Sequence, residues 1–448
     1  MEEDQNKKSE SETKQDPDFM KEKIKQRPLN KAKLLRRTLI TATMAVIFGM
    51  IACLTFLVLE PVINNALYPE EEPQTVEFPE EAQENEVLPE DMIVTDSEME
   101  TEEPQEPVAL KDAQIEQVLS EIVLTKDDYV GMYAAISEVA AEARKSMVVV
   151  SGVTADVDWF NNTYENEGRI SGVIMADNGK EMLILADVDA IEDADSIRVT
   201  FSDNRQYQAE IKLKDSVTGL GILTVSKAII RDTTLFEIKP ISLGSSASSS
   251  LVGSPIIAVG SPLGTTDSIC YGMVTSSSML LHVPDAVYKL VTTDIYGSSG
   301  ATGILVNFNG QLVGIIDNSY NSTDTSNLVS AIGITELKKI IQKLSNDEPL
   351  CYLGVYGADV TVEVNEEQGV PYGAYITEID MDSPAMNAGI QSGDVIVQIG
   401  ELEVTTYLEL VNELVTIAPE ETVTFTVMRQ SSDGYSEMEI EVTLGENK

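Results

Sequence analysis

The sequence predicts a mainly β protein whose strands form an antiparallel barrel or sandwich. From Met147 to about Val329 the 448-residue chain breaks into short runs rich in Val, Ile and Leu, separated by Gly, Asn and Asp turns. Helical periodicity is concentrated before and after this region. Many short strands without intervening helices favour antiparallel packing over a doubly wound sheet. Residues 347–448 mix strands with two short helices, which predicts a separate unit.

The N-terminal residues predict a membrane anchor. Residues 1–37 form a polar, basic tail that we predict to be disordered, with eight Lys/Arg and one acid between Lys21 and Arg37. Residues 38–59 have no charged side chain, and an uncharged run of this length spans a hydrocarbon core as a helix. The basic flank favours a cytoplasmic N-terminus, so the main body is expected to be extracytoplasmic. A cleaved secretory signal is the alternative; the long tail and the absence of a clear small-x-small cleavage site disfavour it.

The charge of the chain is uneven. The formal net charge is −45, and because residues 1–59 carry 11 Lys/Arg against 8 Asp/Glu, the remainder carries −48. Residues 60–107 are predicted to be an extended, disordered linker, since Pro61 to Pro107 holds seven prolines, 16 acids and no Lys or Arg. An acidic body without a basic stripe argues against nucleic-acid binding. The three cysteines are widely spaced without a CxxC pair, so neither a disulfide framework nor a zinc site is expected.

Three helices are predicted around the strand-rich region. Residues 110–123 and 127–146 have helical periodicity, and Asp127 or Asp128 is the candidate N-cap of the second helix. An amphipathic run, ITELKKIIQKL, closes the region. We therefore predict one domain at residues 108–346, with a helical lead-in, and another at 347–448. The final strands are predicted to form a hairpin.

Four motifs, in order, resemble the HtrA (DegP-like) family. SGVIMADNGKEMLILADVDAIEDAD resembles part of that family's first barrel, and VGSPLGTTDSICYGMVTSS resembles a later hairpin. TTDIYGSSGATGILVNFNG resembles its nucleophile segment, and YLGV followed by SPAMNAGIQSGDVIVQI resembles its PDZ domain. The resemblance covers roughly residues 134–445. It implies a chymotrypsin/trypsin-like double β-barrel followed by a PDZ domain.

The resemblance also implies three positions for a His-Asp-Ser triad, and this chain has a substitution at each of them. The histidine position holds Asp189, the aspartate position holds Gly219 and the serine position holds Ala301. A serine hydroxyl is a weak nucleophile without an adjacent base, and the aspartate orients that base. The resemblance therefore implies a pseudoprotease without catalytic residues. Its oxyanion-loop remnant is Ser299, Gly300 and Ala301.

Enzymatic alternatives stay open at this point. Ser298 or Ser299 is a fallback nucleophile if the turn is shifted, and an active partner in a mixed oligomer would supply a complete triad. The single histidine, His282, is interpreted as an ordinary loop residue. Thr302 and Ile304 replace the glycine and proline that the resemblance implies in the oxyanion loop. No metal or cofactor is expected, because a solvated loop is the preferred interpretation of the acids near the histidine position: Asp187, Asp189, Glu192, Asp193 and Asp195.

The resemblance assigns peptide recognition to the C-terminal domain. In PDZ domains a short loop donates backbone N–H groups to a terminal carboxylate, and the ligand adds to the sheet as a strand. The loop would be Tyr352, Leu353, Gly354 and Val355 here. The helix opposite would contribute side chains at helical spacing: Leu408, Val411 and Leu414.

Taken together, the resemblance implies a membrane-anchored, extracytoplasmic pseudoprotease in envelope protein quality control or regulation. Its expected partners are peptide or protein C-termini, the membrane through one helix, and HtrA-like subunits in a homo- or hetero-oligomer. A working serine endopeptidase is the enzymatic alternative. A purely structural envelope tether is the third hypothesis.

Overall fold

The structure is a computed structural model that describes residues 31–67, 73–79, 125–157, 163–432 and 434–447. The chain divides into two units, residues 1–71 and 72–448, and each is described by itself. The helix predicted at 110–123 and most of the predicted tail and linker lie outside the described residues.

The first unit contains one long helix, α1 (Lys31–Leu67). This helix includes the whole uncharged run 38–59 and continues into the predicted linker. Its side chains between Leu39 and Thr55 are exposed. Within the part of the chain that the structure describes, no helix meets the length and hydropathy needed to cross a membrane. The membrane-spanning role of residues 38–59 therefore stays a prediction.

The second unit begins with a docked segment, residues 73–79, which we call the strap. The backbone N–H of Val76 donates to Oδ1 of Asn346 at 2.8 Å, and the amide of Asn346 donates back to the carbonyl of Val76 at 2.8 Å. The N–H of Phe78 donates to the side chain of Gln342 at 3.0 Å. Val76 is buried. This part of the predicted linker is thus held against the folded body. The burial of Val76 and the hydrogen bonds to the side-chain amides of Asn346 and Gln342 hold it there.

Helix α2 (Lys126–Arg144) leads into the body. Its N-cap is Thr125, whose side chain accepts from the N–H of Asp128 while the Asp128 carboxylate accepts from the N–H of Thr125. The sequence-based expectation that Asp127 or Asp128 caps this helix was wrong by two or three positions, because Asp128 is the acidic partner in a capping box.

The first barrel is closed and antiparallel, with strand order β1-β2-β3-β6-β5-β4. Alternate apolar side chains fill its interior, among them Val150, Ile184 and Leu223. A 3₁₀ turn at Asp189–Ile191 follows the third strand, and a short helix, α3 (Asp232–Glu237), follows the last. The strands are β1 (Met147–Val157), β2 (Thr163–Asp177), β3 (Glu181–Asp187), β4 (Ser196–Thr200), β5 (Gln206–Lys214) and β6 (Leu220–Ser226).

The second barrel is a seven-stranded sheet in the order β11-β8-β9-β10-β13-β12-β7, closed by pairing of β11 with β12. Helix α4 (Ile334–Ser345) follows it and buries Leu337, Ile341 and Leu344. The strands are β7 (Ser242–Leu243), β8 (Pro255–Ser261), β9 (Ser268–Val283), β10 (Ala286–Tyr296), β11 (Thr302–Val306), β12 (Gln311–Ile316) and β13 (Leu328–Gly333). The predicted double β-barrel is confirmed.

The C-terminal domain contains a six-stranded sheet in the order β15-β16-β17-β19-β20, with β18 also paired to β17, so β15 lies at an edge. The predicted final hairpin is confirmed by the antiparallel pairing of β19 with β20. The strands are β14 (Cys351–Tyr352), β15 (Val355–Asp359), β16 (Ala374–Ile379), β17 (Val395–Ile399), β18 (Leu402–Glu403), β19 (Thr422–Ser431), β20 (Gly434–Thr443) and β21 (Gly445–Glu446). The helices are α5 (Val362–Gln368), α6 (Pro384–Ala388) and α7 (Tyr407–Leu414). This is the predicted PDZ domain.

Candidate functional site

A cleft of about 240 Å³ lies between the two barrels. Residues of β2 and β3 line one side and residues 299–304 line the other. Asp187 and Ala301 are both in its wall, and Gly219 lies beside Asp187 and Asp189. Of the three positions of the implied triad, Ala301 therefore lines this cleft, and Gly219 and Asp189 lie close to its wall residue Asp187.

Asp189, at the histidine position, lies in the 3₁₀ turn after β3. Its Oδ1 is 3.3 Å from Nζ of Lys214, and the same ammonium is 2.7 Å from Oε2 of Glu192. The hydrogen bond to Glu192, followed by that to Asp189, raises the pKa of Lys214 above its usual range. Asp189 is thus one member of an acid–lysine–acid cluster. A carboxylate paired in this way is a poor substitute for a neutral imidazole base.

Gly219, at the aspartate position, has a backbone φ of +71°. A Cβ at this position would lie 2.9 Å from Oδ2 of Asp189 and 3.2 Å from Oδ1 of Asp187. Burial, followed by repulsion from Asp189 and then Asp317, raises the pKa of Asp187. The space that an aspartate would need is therefore already taken by carboxylates.

Ala301, at the serine position, is buried among the apolar residues of the second barrel. Its backbone N–H donates to the carbonyl of Ser298 at 3.1 Å, and that carbonyl also accepts from the side-chain amide of Asn318 at 2.8 Å. An oxyanion hole needs free N–H groups aimed at the position of the developing charge. The N–H of Ala301 instead donates within its own turn. One of the two backbone donors that an oxyanion hole would use is therefore not free.

The fallback nucleophiles have no base among the residues that the structure describes. The hydroxyl of Ser298 accepts from the N–H of Gly300 at 3.3 Å, and Ser299 is an exposed residue in the cleft wall. In the described ranges, no hydrogen bond joins either hydroxyl to a carboxylate, imidazole or amine. Without such a partner a serine hydroxyl is not activated.

Thr302, where the resemblance implies glycine, makes contacts across the cleft. Its Oγ1 accepts from the N–H of Ser171 at 3.1 Å and lies 3.1 Å from Oγ of the same residue. Ser171 belongs to β2 and Thr302 to β11, so this pair of contacts joins the two barrels at the mouth of the cleft.

His282 is placed differently from the sequence-based expectation. It lies in β9, one residue before the strand ends, and its Nδ1 donates to the carbonyl of Gly357 at 2.9 Å. The prediction of a loop residue was wrong, because the hairpin strands continue further than the polar sequence around them indicated. The only imidazole of the chain therefore contacts the PDZ domain.

The predicted carboxylate-binding loop, Tyr352 to Val355, already binds a carboxylate. Oδ2 of Asp285 accepts from the N–H of Leu353 at 2.7 Å and from the N–H of Gly354 at 2.8 Å. Its Oδ1 accepts from the N–H of Val355 at 3.0 Å. The φ of +83° at Gly354 turns the N–H groups toward a common point. Tyr352 adds an outer contact, since its hydroxyl donates to Asp380 at 2.7 Å.

The helix beside this loop buries one face, which includes two of the three side chains predicted to line the peptide groove. Val411 and Leu414 are buried, whereas Leu408 is 48% exposed. Tyr407 is fully buried, and its hydroxyl donates to the carbonyl of Val355 at 2.8 Å. The spacing of Tyr407, Val411 and Leu414 at i, i+4 and i+7 was available in the sequence and would have identified this face.

Asp285 was also missed by sequence reasoning. A Pro-Asp pair between two strands is a turn signal, so the hairpin itself was predictable. Its contact with the loop joins residues 68 to 70 positions apart in the chain, and no local pattern reports it.

Two family models match this chain, in the order that the fold requires. Residues 170–315 match the trypsin-like peptidase domain, and residues 352–444 match the PDZ domain. The first match includes Asp189, Gly219 and Ala301.

The chain is similar to several curated proteins. It is 25% identical over 233 residues to "Serine protease HtrA-like" of Staphylococcus aureus, covering 49% of this chain and 29% of that protein. It is 29% identical over 219 residues to "Probable periplasmic serine endoprotease DegP-like" of Halomonas elongata, covering 47% of this chain and 43% of that protein. The matches thus span less than half the length of these relatives.

A solved structure has the same architecture. The "HtrA-type protease AlgW with decapeptide" aligns with a TM-score of 0.51 and 19% identity, over 70% of this chain and 98% of that one. At this identity the likeness shows the fold. The two domain matches in sequence, the HtrA-like and DegP-like relatives, and the double barrel followed by a PDZ domain together show that this chain belongs to the HtrA family.

Proposed function

We propose that this protein is a membrane-anchored, extracytoplasmic pseudoprotease that recognises peptide C-termini through its PDZ domain. The observation that carries the proposal is the state of the cleft. Ala301, at the implied serine position, lines the cleft and its N–H is engaged within its turn, while the implied histidine and aspartate positions hold Asp189 and Gly219. What such a cleft retains is at most a groove for an extended segment of another protein.

Three features support the loss of catalysis. The carboxylate at the histidine position is paired with Lys214. The backbone at Gly219 is left-handed and faces two acids. The serine position has a methyl group in the barrel core. A protease without its triad keeps only about 10³–10⁴-fold rate enhancement over water, which is too little for useful proteolysis.

A fluorophosphonate probe tests this part of the proposal. The full chain in detergent micelles is incubated with the probe, with trypsin in a parallel sample as the positive control. We expect trypsin alone to be labelled. Labelling of this protein that disappears in the Ser298→Ala or Ser299→Ala variant would instead establish the endopeptidase alternative with a displaced nucleophile.

An active partner is tested separately. The full chain is mixed with an active HtrA-type protease, and cleavage of a quenched peptide is followed as the ratio of the two changes. We expect no gain in activity per active subunit. A gain that depends on this chain would favour the mixed-oligomer alternative, and size-exclusion chromatography with light scattering would give the homo- or hetero-oligomeric state.

Peptide recognition rests on the chemistry of the PDZ loop. Three consecutive N–H groups converge on one carboxylate, and β15 lies at the sheet edge where a ligand strand would add. A role in envelope protein quality control or regulation follows from the family, since exposed C-termini mark unfolded or processed proteins. Arrays of peptides with free and amidated C-termini test the binding; equal signals from both would favour the structural-tether hypothesis.

The membrane anchor is proposed from the sequence of α1. Residues 38–59 carry no charge and follow a basic stretch, and the described side chains from Leu39 to Thr55 are exposed. Cell membranes washed at alkaline pH should retain the protein, and added protease should remove the body while sparing the N-terminal tail. Release of the intact protein by the wash would contradict the anchor.

A further inference from the structure

The tip of the β9–β10 hairpin projects onto the PDZ domain. Val283 pairs with Ala286, so the turn consists only of Pro284 and Asp285. Asp285 has a φ of +55°, a conformation that glycine adopts without strain and that aspartate tolerates better than most residues. The choice of aspartate at this position places a carboxylate at the end of a rigid two-stranded element.

The contacts of Asp285 reproduce those of a peptide's last residue. Its carboxylate accepts from the N–H groups of Leu353, Gly354 and Val355 at 2.7 to 3.0 Å. Its own N–H donates to the carbonyl of Val355 at 2.9 Å. A C-terminal residue would offer the same pair, one carboxylate and one N–H, to the same loop.

The hairpin also covers part of the strand edge beside the loop. The carbonyl of Val355 accepts from the N–H of Asp285 and from the hydroxyl of Tyr407. The carbonyl of Gly357 accepts from Nδ1 of His282 at 2.9 Å. An added strand forms its ladder with alternate residues of the edge, and these two carbonyls belong to alternate residues of β15. An incoming peptide would therefore meet the hairpin tip at the loop and along the edge.

We propose that the tip Val283–Asp285 is a tethered internal ligand of the PDZ domain, which an external C-terminal carboxylate must displace to bind. This inference rests on the proposed peptide-binding function and adds its regulation. The tip is held near the loop at an effective concentration on the order of millimolar. The apparent affinity for an external peptide is the intrinsic affinity multiplied by the fraction of molecules whose loop is open. Displacement of the tip therefore controls binding.

The surroundings of Asp285 favour a contact with the PDZ loop that can be exchanged for a peptide over one that is permanent. Burial raises the pKa of its carboxyl to about 6, with the loop N–H groups opposing and Asp380 adding to the rise. In the described residues its carboxylate has no Lys or Arg partner, so the contact lacks the attraction of an ion pair. The ionisable groups that interact with it electrostatically are Cys351, Tyr352, Tyr356, Asp380 and Tyr407.

A peptide copy of the tip is the direct probe. Fluorescein-labelled Leu-Leu-His-Val-Pro-β-alanine copies residues 280–284, and its final β-alanine has the same number of bonds from N–H to carboxylate as the side chain of Asp285. Binding to the full chain in detergent micelles is measured by fluorescence anisotropy. The same peptide with a C-terminal amide is the ligand control.

Asp285→Gly removes the carboxylate and suits the left-handed turn. Asp347→Gly is the matched protein control, since Asp347 also has a positive φ, +66°, and is exposed. We expect Asp285→Gly to bind the acid peptide about 10- to 100-fold more tightly than the parent, whereas Asp347→Gly matches the parent and no variant binds the amide. Asp285→Asn, which keeps the size and turn preference of the residue, should give the same direction of change.

The outcomes separate this inference from the proposed function. Equal, measurable affinity of the parent, Asp285→Gly and Asp285→Asn would overturn the tethered ligand and leave peptide recognition standing. Failure of the acid peptide to bind any folded variant would overturn both. In the parent, saturation with the peptide should also speed hydrogen exchange at the amide of Asp285; an unchanged rate in a peptide-bound sample would mean that the tip is not displaced.

Discussion

Replacing Gly219 by aspartate, the residue that the family resemblance implies, should destabilise this protein instead of repairing its cleft. The backbone has a φ of +71°, and the left-handed conformation costs an aspartate or asparagine about 1 kcal/mol. The new Cβ would lie 2.9 Å from one oxygen of Asp189 and 3.2 Å from one oxygen of Asp187, so the substitution adds a third carboxylate at contact distance.

The repulsion sets the magnitude of the loss. Two unit charges about 4 Å apart interact by about 4 kcal/mol at an effective dielectric of about 20. The side chain of Asp189 is 51% exposed, and solvent screening at this exposure reduces the figure to about 2 kcal/mol. Gly219→Asp should therefore lose about 3 kcal/mol in the free energy of unfolding at pH 7, and the uncharged Gly219→Asn should lose about 1 kcal/mol.

Urea denaturation of the full chain in detergent micelles, followed by circular dichroism, measures both losses. The gap between the two variants should narrow in high salt, and it should close near pH 3 as the carboxyls take up protons. In the Asp189→His background the cost of Gly219→Asp should fall, because a repulsive neighbour becomes a partner. Equal losses for the Asp and Asn variants at pH 7 would refute the electrostatic reasoning and leave only backbone strain.

Three further predictions concern the rest of the second unit. Arg429→Met should lower the free energy of unfolding by about 3 kcal/mol in urea titrations, since Asp394 is 1% exposed and would lose its two-pronged partner; a loss below about 1 kcal/mol would contradict this. Asn346→Ala should cost about 1–3 kcal/mol and speed limited proteolysis at residues 73–79, because both hydrogen bonds to Val76 are lost; an unchanged cleavage rate would mean that the strap is held by other contacts. Burial raises the pKa of Asp285 from 3.8 to about 6 against the opposing effect of the loop N–H groups, so its stabilising contribution is complete below about pH 4 and is lost as the pH rises through about 6. The stability of the parent relative to Asp285→Asn should accordingly fall by up to about 3 kcal/mol between pH 4 and pH 7, and a flat difference would contradict this prediction.

Motif order was enough to predict the architecture, because each barrel hairpin and the PDZ loop carry local signals. The alternation of apolar residues identified the strands, and the small residues before LVN identified the turn at Ala301. The resemblance also implied that Asp189 and Gly219 are neighbours, and a Cβ on Gly219 would lie 2.9 Å from Oδ2 of Asp189. The substitutions at these positions could be read directly from the sequence.

Contacts between residues far apart in the chain were not predictable from the sequence. The docking of Asp285 on the PDZ loop and the bond from His282 to Gly357 depend on how two domains pack, and neither leaves a periodic pattern. The strap was predicted as a solvated linker from its composition, yet Val76 finds a partner in Asn346, which lies 270 positions away in the chain. Average composition describes a segment as a whole, and one apolar residue with the right neighbours is enough to change its environment.

The hydrogen bond from the backbone N–H of Ser171 to Oγ1 of Thr302 makes this amide a probe of motion between the two barrels. That amide lies on β2, and its acceptor is a side chain on β11 of the other barrel. Exchange with solvent deuterium requires the acceptor to leave, so the exchange rate of this amide reports the fraction of molecules in which the two barrels are apart at this point. If the cleft opens to admit a polypeptide, the amide of Ser171 should exchange faster than the amides of the surrounding strands. If the two barrels are fixed against each other, it should exchange as slowly as those amides.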